Sequence, residues 1–345
     1  MADNRLAEAK ADPSQPSFLD LPVEIASNIA RQCRVKTRHS LSLTSKTLYL
    51  FDAHLGYNIH QIRISSATLR NFDGGHVPGI RIDIFLLNPR DSVTYHFFNF
   101  DGFTDVTKHF TSVPGQNYLT IALKIYQRFV HNSIITRIDF SYCSHFVDKI
   151  PNIYCEKTTI LMNQLVHLEK LFEKLENKHI QYLDITLLTD TLITRKYPEI
   201  INAVCLTLSA RITSEVFMSL TSRWVIIEKT CVDTDMLRAF RWSNGEGSND
   251  FLYLVAAGYD IDLDRVTKDI NKMKFTSEMY QFISGEDFFR MDKFFQADIC
   301  FQVFSNVNSD SATLGIYQGK VCFAVTGKLI DMDFQLAHPI IPVEY

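Results

Sequence analysis

Three acids at alternate positions, Asp260, Asp262 and Asp264, have the spacing with which a loop offers carboxylates to a calcium ion. The sixth position of such a loop needs glycine for its sharp turn, and here it is Arg265; the twelfth is Asn271 rather than glutamate. The set therefore reads as solvated acids at a helix start, where the helix dipole favours them. Gly245-Glu-Gly247-Ser248 has glycines that let backbone approach a phosphate, but no Gly-Lys-Ser/Thr follows. Cys143, His145 and Cys155 own zinc-ligating atoms, yet no Cys-x-x-Cys or His-x-x-x-His pair supports them. Seven cysteines and eleven histidines always allow a Cys–His pair to be drawn, so a nucleophile is not indicated. Trp224 and Trp242 read as core anchors, and the aromatic run from Tyr95 to Phe103 as core rather than a stacking platform. No catalytic residue, metal or cofactor is expected on this chain.

The elements behind these residues are those of an ordinary folded protein. Of 345 residues, 46% are hydrophobic and 21% charged, which argues against wholesale disorder. The 26 phenylalanines imply a large aromatic core. A formal charge of −4, with both signs spread along the chain, gives no nucleic-acid footprint. The cysteines (33, 143, 155, 205, 231, 300 and 322) are scattered, mostly in apolar settings such as Val204-Cys205-Leu206, and read as reduced buried thiols. There is no sequon, signal peptide or 18-residue apolar run, so no membrane is expected and the compartment is cytoplasmic or nuclear. Residues 1–16, with Pro13 and Pro16, read as a disordered leader.

Strands are expected at 62–64, 80–87 and 93–100, the last two joined as a hairpin. A helix over 117–130 would place Leu119, Leu123, Tyr126 and Val130 on one face. Strands then recur at 135–140, 180–185, 203–208, 224–227 and 251–255. Helices lie between them: 159–176, with Leu161, Leu165, Leu168, Phe172 and Leu175 in steps of four and three, and shorter ones near 213–221, 234–242 and 262–273. Strand starts spaced by roughly 20 to 45 residues mark stacked β-α units, too unlike one another for a strict repeat. Residues 298–304, 312–317 and 320–326 read as a C-terminal β region with a hairpin turn at 317–320. The fold class is α/β: a helical module over 17–55, then an irregular leucine-rich-repeat-like α/β domain from 60 to 345.

The module has its own apolar pattern. Asp20 is the expected N-cap before Pro22, Glu24 adds charge to the first turn, and Ile25 and Ile29 lie four apart on one face. Leu41 and Leu43 precede Thr44, a second expected N-cap, with Leu48 four residues on. So few residues cannot bury a useful core alone, so this apolar face needs a partner.

These residues resemble the F-box. Leu21, Pro22, Glu24, Ile25 and Ile29 are similar to that family's Leu-Pro-x-Glu-Ile opening, and Leu41, Leu43, Ser45 and Lys46 to its Leu-x-Leu-x-Ser-Lys element. The middle departs from the pattern: Arg34, Lys36, Arg38 and His39 stand where leucines are usual. A second resemblance covers about 200–326. Trp224-Val225-Ile226-Ile227, Phe240, Trp242, the Gly247-Ser248-Asn249 loop, Leu252-Tyr253-Leu254, Asp298-Ile299 and Ala312-Thr313 look like the type 2 F-box-associated domain of nematode proteins.

The resemblance implies a substrate-receptor subunit of a Skp–cullin–F-box ubiquitin ligase. Leu21, Pro22, Ile25, Ile29, Leu41, Leu43 and Leu48 would bind a Skp-type adaptor and, through it, a cullin. An unknown protein target would dock on the α/β domain, on loops leading out of the parallel strands. Glu246, Asn249 and Asp250, in the polar loop after Trp242, are its first candidates. The alternatives from other classes are an α/β enzyme and a repeat-type scaffold outside the ligase.

Overall fold

The computed structural model describes residues 18–70, 75–86, 92–100, 103–106, 111–114, 117–239, 253–258, 261–268, 271–274, 299–304, 310–317 and 319–328. The expected leader and the loop with Glu246, Asn249 and Asp250 lie outside them, as does Trp242.

The fold is α/β. A 3₁₀ turn, Phe18–Asp20, leads into α1 (Val23–Gln32), α2 (Val35–Thr44) and α3 (Lys46–Leu55). A large mixed sheet follows. Its first strands, β1 (Asn58–Arg70), β2 (His76–Leu86), β3 (Val93–Phe100), β4 (Phe103–Val106) and β5 (Thr111–Pro114), form an antiparallel meander. Helix α4 (Tyr118–Val130) returns the chain to the other side of β1. There a parallel run begins: β6 (Ile134–Ser141), β7 (Lys157–Met162), β8 (Tyr182–Leu187), β10 (Cys205–Ser209), β12 (Trp224–Val232) and β13 (Tyr253–Gly258). Each strand lies beside the one before it, and their starts are separated by roughly 20 to 30 residues, the spacing of stacked β-α units.

Helices α5 (Ser144–Val147), α6 (Leu165–Lys174), α7 (Pro198–Ile201), α8 (Ser214–Met218) and α9 (Thr234–Ala239) fill the crossovers. Short β9 (Leu192–Ile193) and β11 (Arg211–Ile212) pair with each other apart from the main sheet. After α10 (Leu263–Val266), four antiparallel strands complete it: β14 (Asn271–Lys274), β15 (Ile299–Phe304), β16 (Asp310–Tyr317) and β17 (Lys320–Lys328). The order across the sheet is β14-β15-β16-β17-β13-β12-β10-β8-β7-β6-β1-β2-β3-β4-β5.

Period-two alternation builds this arrangement. In β7 and β8 every second residue is buried, and the same side of β6, β10 and β12 supplies Ile138, Phe140, Leu206, Leu208, Val225 and Ile227. Phe146, Leu168, Leu171, Phe172, Val216 and Phe217 from the crossovers meet them in one continuous core, so the helices cover one face.

Several expectations are corrected. The helix expected over 159–176 starts only at Leu165, because Lys157–Met162 is strand β7. Leu161 and Leu165 are four apart by coincidence: Thr158, Ile160 and Met162 alternate inward while Leu161 faces the other way. The helix near 262–273 is a single turn, and Asn271 already belongs to β14. In α4 the deepest stripe is Ala122, Tyr126 and Phe129, and Leu119, Leu123 and Val130 flank it half-buried. Trp224 is a half-exposed residue outside the core. Phe97 and Phe98 of the aromatic run are buried as expected.

Candidate protein-binding site on the helical module

Helix α1 is built inside out. Its buried residues are the small ones, Ala26 and Ala30, while Val23 is 62% exposed, Ile25 49% and Ile29 42%. Alanine on the packed side lets α1 lie close to its neighbours. The branched side chains are left exposed. Pro22, Ile25 and Ile29 recur at three and four residues and share one side of the helix.

Six of the seven expected adaptor residues have described side chains. Pro22 is exposed and is itself the N-cap of α1; its carbonyl accepts from the amides of Ile25 and Ala26 at 2.9 and 3.0 Å, and no side chain caps the helix. Asp20 is therefore not the cap, since it belongs to the preceding 3₁₀ turn. Leu21 is half-buried. Leu41 is exposed on α2, Leu48 is half-buried on α3, and the side chain of Leu43 lies outside the description. The cap of α3 is Ser45, whose Oγ accepts from the Leu48 amide at 3.1 Å. Thr44 instead donates its hydroxyl back to the Leu41 carbonyl at 2.7 Å, as the last residue of α2. The seven residues thus divide over three helices and the turn before them, and the stripe on α1 gathers three. Sequence reasoning passed over Val23, Tyr49 and Leu50, which are also exposed.

One cation of the module's basic middle, Arg38, does not face water. Arg38 lies within α2 and is 4% exposed. Its Nε donates to Asp52 Oδ1 at 2.7 Å, Nη1 to the Gly56 carbonyl at 3.0 Å and Nη2 to the Asp52 carbonyl at 3.3 Å. The guanidinium also sits 3.8 Å from the centre of the Tyr57 ring. Asp52 Oδ2 accepts from the Tyr57 hydroxyl at 3.1 Å and from Arg128 Nη2 at 3.4 Å. Arg128 comes from α4, on the sheet side, and also donates to Ser42 Oγ at 2.9 Å. Burial pushes the Tyr57 hydroxyl up to about 12, with Arg38 pulling against it. One carboxylate thus joins two guanidiniums and a phenol, and links α2 and α3 to α4. Geometry of this kind is what a buried ion pair needs to offset its desolvation.

Backbone completes the joint. The amide of Tyr57 donates to Ser133 Oγ at 2.8 Å, and the amide of Ile134 to the Tyr57 carbonyl at 3.0 Å. Gly56, which ends α3, has φ +61°, and a Cβ there would stand 1.8 Å from the Asn132 carbonyl oxygen. Only glycine allows that approach. The module therefore presents its apolar stripe from a fixed seat.

The other candidate chemistry is placed as follows. Asp262 caps α10, accepting from the Arg265 amide at 3.0 Å, and Asp264 pairs with Lys272. His145 is exposed while Cys143 and Cys155 are buried, and no three metal-ligating side chains converge among the described residues. Burial pushes both thiols up to about 12. At neutral pH they hold almost no thiolate, the form that reacts. In a labelling time course with a maleimide, Cys143 and Cys155 are expected to react about 100-fold or more slowly than a free thiol, and to open only on denaturation. Cys33, half-buried at the end of α1, should react before them. Rapid modification of Cys143 or Cys155 in the native protein would point to an activated site.

No family model, curated protein or solved structure matches this chain.

Proposed function

We propose that this chain is a substrate receptor of a Skp–cullin–F-box ubiquitin ligase, with α1–α3 as an F-box-like module and the parallel run as a leucine-rich-repeat-like domain. The observation that carries the reading is the reversed α1, which seats its alanines and presents Pro22, Ile25 and Ile29 to solvent. Each isoleucine fully covered by an adaptor would contribute about 1.5–3 kcal/mol. The resemblance of Leu21–Ile25 and Leu41–Lys46 to the F-box supplies the partner's identity. No bond chemistry takes place on this chain. It raises the local concentration of a target near the charged ubiquitin carrier held elsewhere in the complex.

The double variant Ile25→Asp/Ile29→Asp tests this. Both side chains are exposed, so folding stability should stay within about 0.5 kcal/mol of the parent. Leu21 is left alone because it is half-buried. Titration of a purified Skp-type adaptor is expected to show tight binding by the parent chain and none by the variant. Equal adaptor affinity for the two chains would refute the assignment.

A further inference from the structure

The face of the sheet opposite the helices carries chemistry that the helical module does not use. Parallel register aligns its side chains in rows across the strands. One row runs Arg137, Lys157, Tyr182, Cys205, Trp224, and the next runs Asp139, Thr159, Asp184, Thr207, Ile226. Further along lie Leu161, Thr186 and, on β12, Glu228. Leu161, Trp224 and Ile226 stand half-exposed and do not join the core.

The two acids that lead this face are in different situations. Asp139 is satisfied within the sheet: Arg137 Nε donates to Oδ1 at 2.9 Å, Gln61 Nε2 donates to Oδ2, and Arg63 stands at 4.0 Å. Arg137 also reaches Thr159 Oγ1 at 2.9 Å. Asp184 has no hydrogen bond or ion pair among the described residues, nor does Glu228. Burial, then the charge of Glu228, pushes the Asp184 carboxyl up, and Arg137 draws it part of the way back.

We propose that this face over β6–β12 docks an extended segment of a partner protein, with an arginine or lysine of that segment on Asp184 and Glu228 beside Tyr182 and Trp224. Two carboxylates with no ion pair among the described residues take a cation, and flanking aromatic rings hold its flat or alkyl surface. The half-exposed apolar residues and the threonine hydroxyls give the rest of the segment both contacts and hydrogen-bond partners. The five strands span about 19 Å at their usual spacing, the length of about six extended residues. An acidic segment does not fit, because the only cations in these rows, Arg137 and Lys157, lie at one end and Arg137 is already engaged.

The proposal shares with the receptor reading only the idea that this chain receives a partner. Its surface lies on other elements, and its test contains no adaptor, so either can fail alone. The probe is a blocked, dye-labelled ten-residue peptide of glycine and serine with two central arginines. Its counterpart has glutamines in their place. Fluorescence anisotropy with the full chain is expected to show at least ten-fold tighter binding of the arginine peptide. Asp184→Asn/Glu228→Gln should reduce that binding to the level of the glutamine peptide, with the circular dichroism spectrum unchanged. Thr207→Arg, which sets a cation beside Asp184 within the chain, should block the site in the same way. Equal binding of the two peptides, or undiminished binding of the arginine peptide by both variants, would overturn the proposal.

Discussion

Asp52→Ala is expected to cost about 3–5 kcal/mol of folding stability, the usual loss when one partner of a buried ion pair is removed. The substitution strips the carboxylate from two guanidiniums at once. Arg38 is too deep to turn to water, and Arg128 is only one-fifth exposed. The Tyr57 hydroxyl loses its acceptor as well. Urea denaturation measures the effect directly. Asp52→Asn, which keeps one oxygen for Arg38, should fall between parent and alanine variant. A loss below about 1 kcal/mol for Asp52→Ala would mean that the two arginines find solvent, and that the module sits less firmly than its contacts imply.

Gly56→Ala is expected to be comparably severe, at about 3 kcal/mol or more, for a reason unrelated to charge. The residue combines φ +61° with a backbone approach that leaves no room for a methyl group. The atom in the way is a main-chain carbonyl, which cannot swing aside as a side chain would. Gly319, in the turn between β16 and β17, provides the control. Its φ is +71°, but a Cβ there meets nothing within 4 Å. Gly319→Ala should therefore cost only the left-handed backbone term, about 1–2 kcal/mol. Thermal or urea denaturation of the two variants side by side separates the clash from the dihedral penalty. Similar losses at the two glycines would show that the contact at Asn132 relaxes.

What the sequence made legible was what local periodicity encodes. Strands β2, β3, β6, β8, β10, β12 and β13 were expected close to where they lie, because each is a short apolar or alternating run bounded by turn residues. The 317–320 turn was readable for the same reason. The helix–strand exchange at 159–164 was not, since Leu161 and Leu165 satisfy a helical spacing while their neighbours satisfy a strand. The site was half legible. Ile25 and Ile29 followed from helical spacing, and Pro22 from its place at the helix start and the resemblance to the F-box. That Ala26 and Ala30 face inward instead depends on how close the neighbouring helices come. Arg38 was the largest miss. A cation in place of a usual leucine looks like a solvated residue until its partners are known, and they begin fourteen residues away, at Asp52, Gly56 and Tyr57. No window of sequence contains that network.

The strand order also sets a sequence of events. β1 is the first of the described strands to be made and lies inside the sheet, with β2 on one side and β6 on the other. From β6 to β13 each new strand of the main sheet pairs with the one before it in that sheet, so the growing chain has a nearby template and long loop closures are few. The rhythm stops at β13. Its outer neighbour is not β14 but β17, the latest described strand to leave the ribosome. Until then β13 offers a bare row of amides and carbonyls, the kind of edge on which chains associate wrongly. A ribosome stalled before residue 320 would hold a nearly finished sheet with this seam open. For the nascent chain the hazardous interval runs from the emergence of β13 to that of β17, when most of the described sheet is already in place.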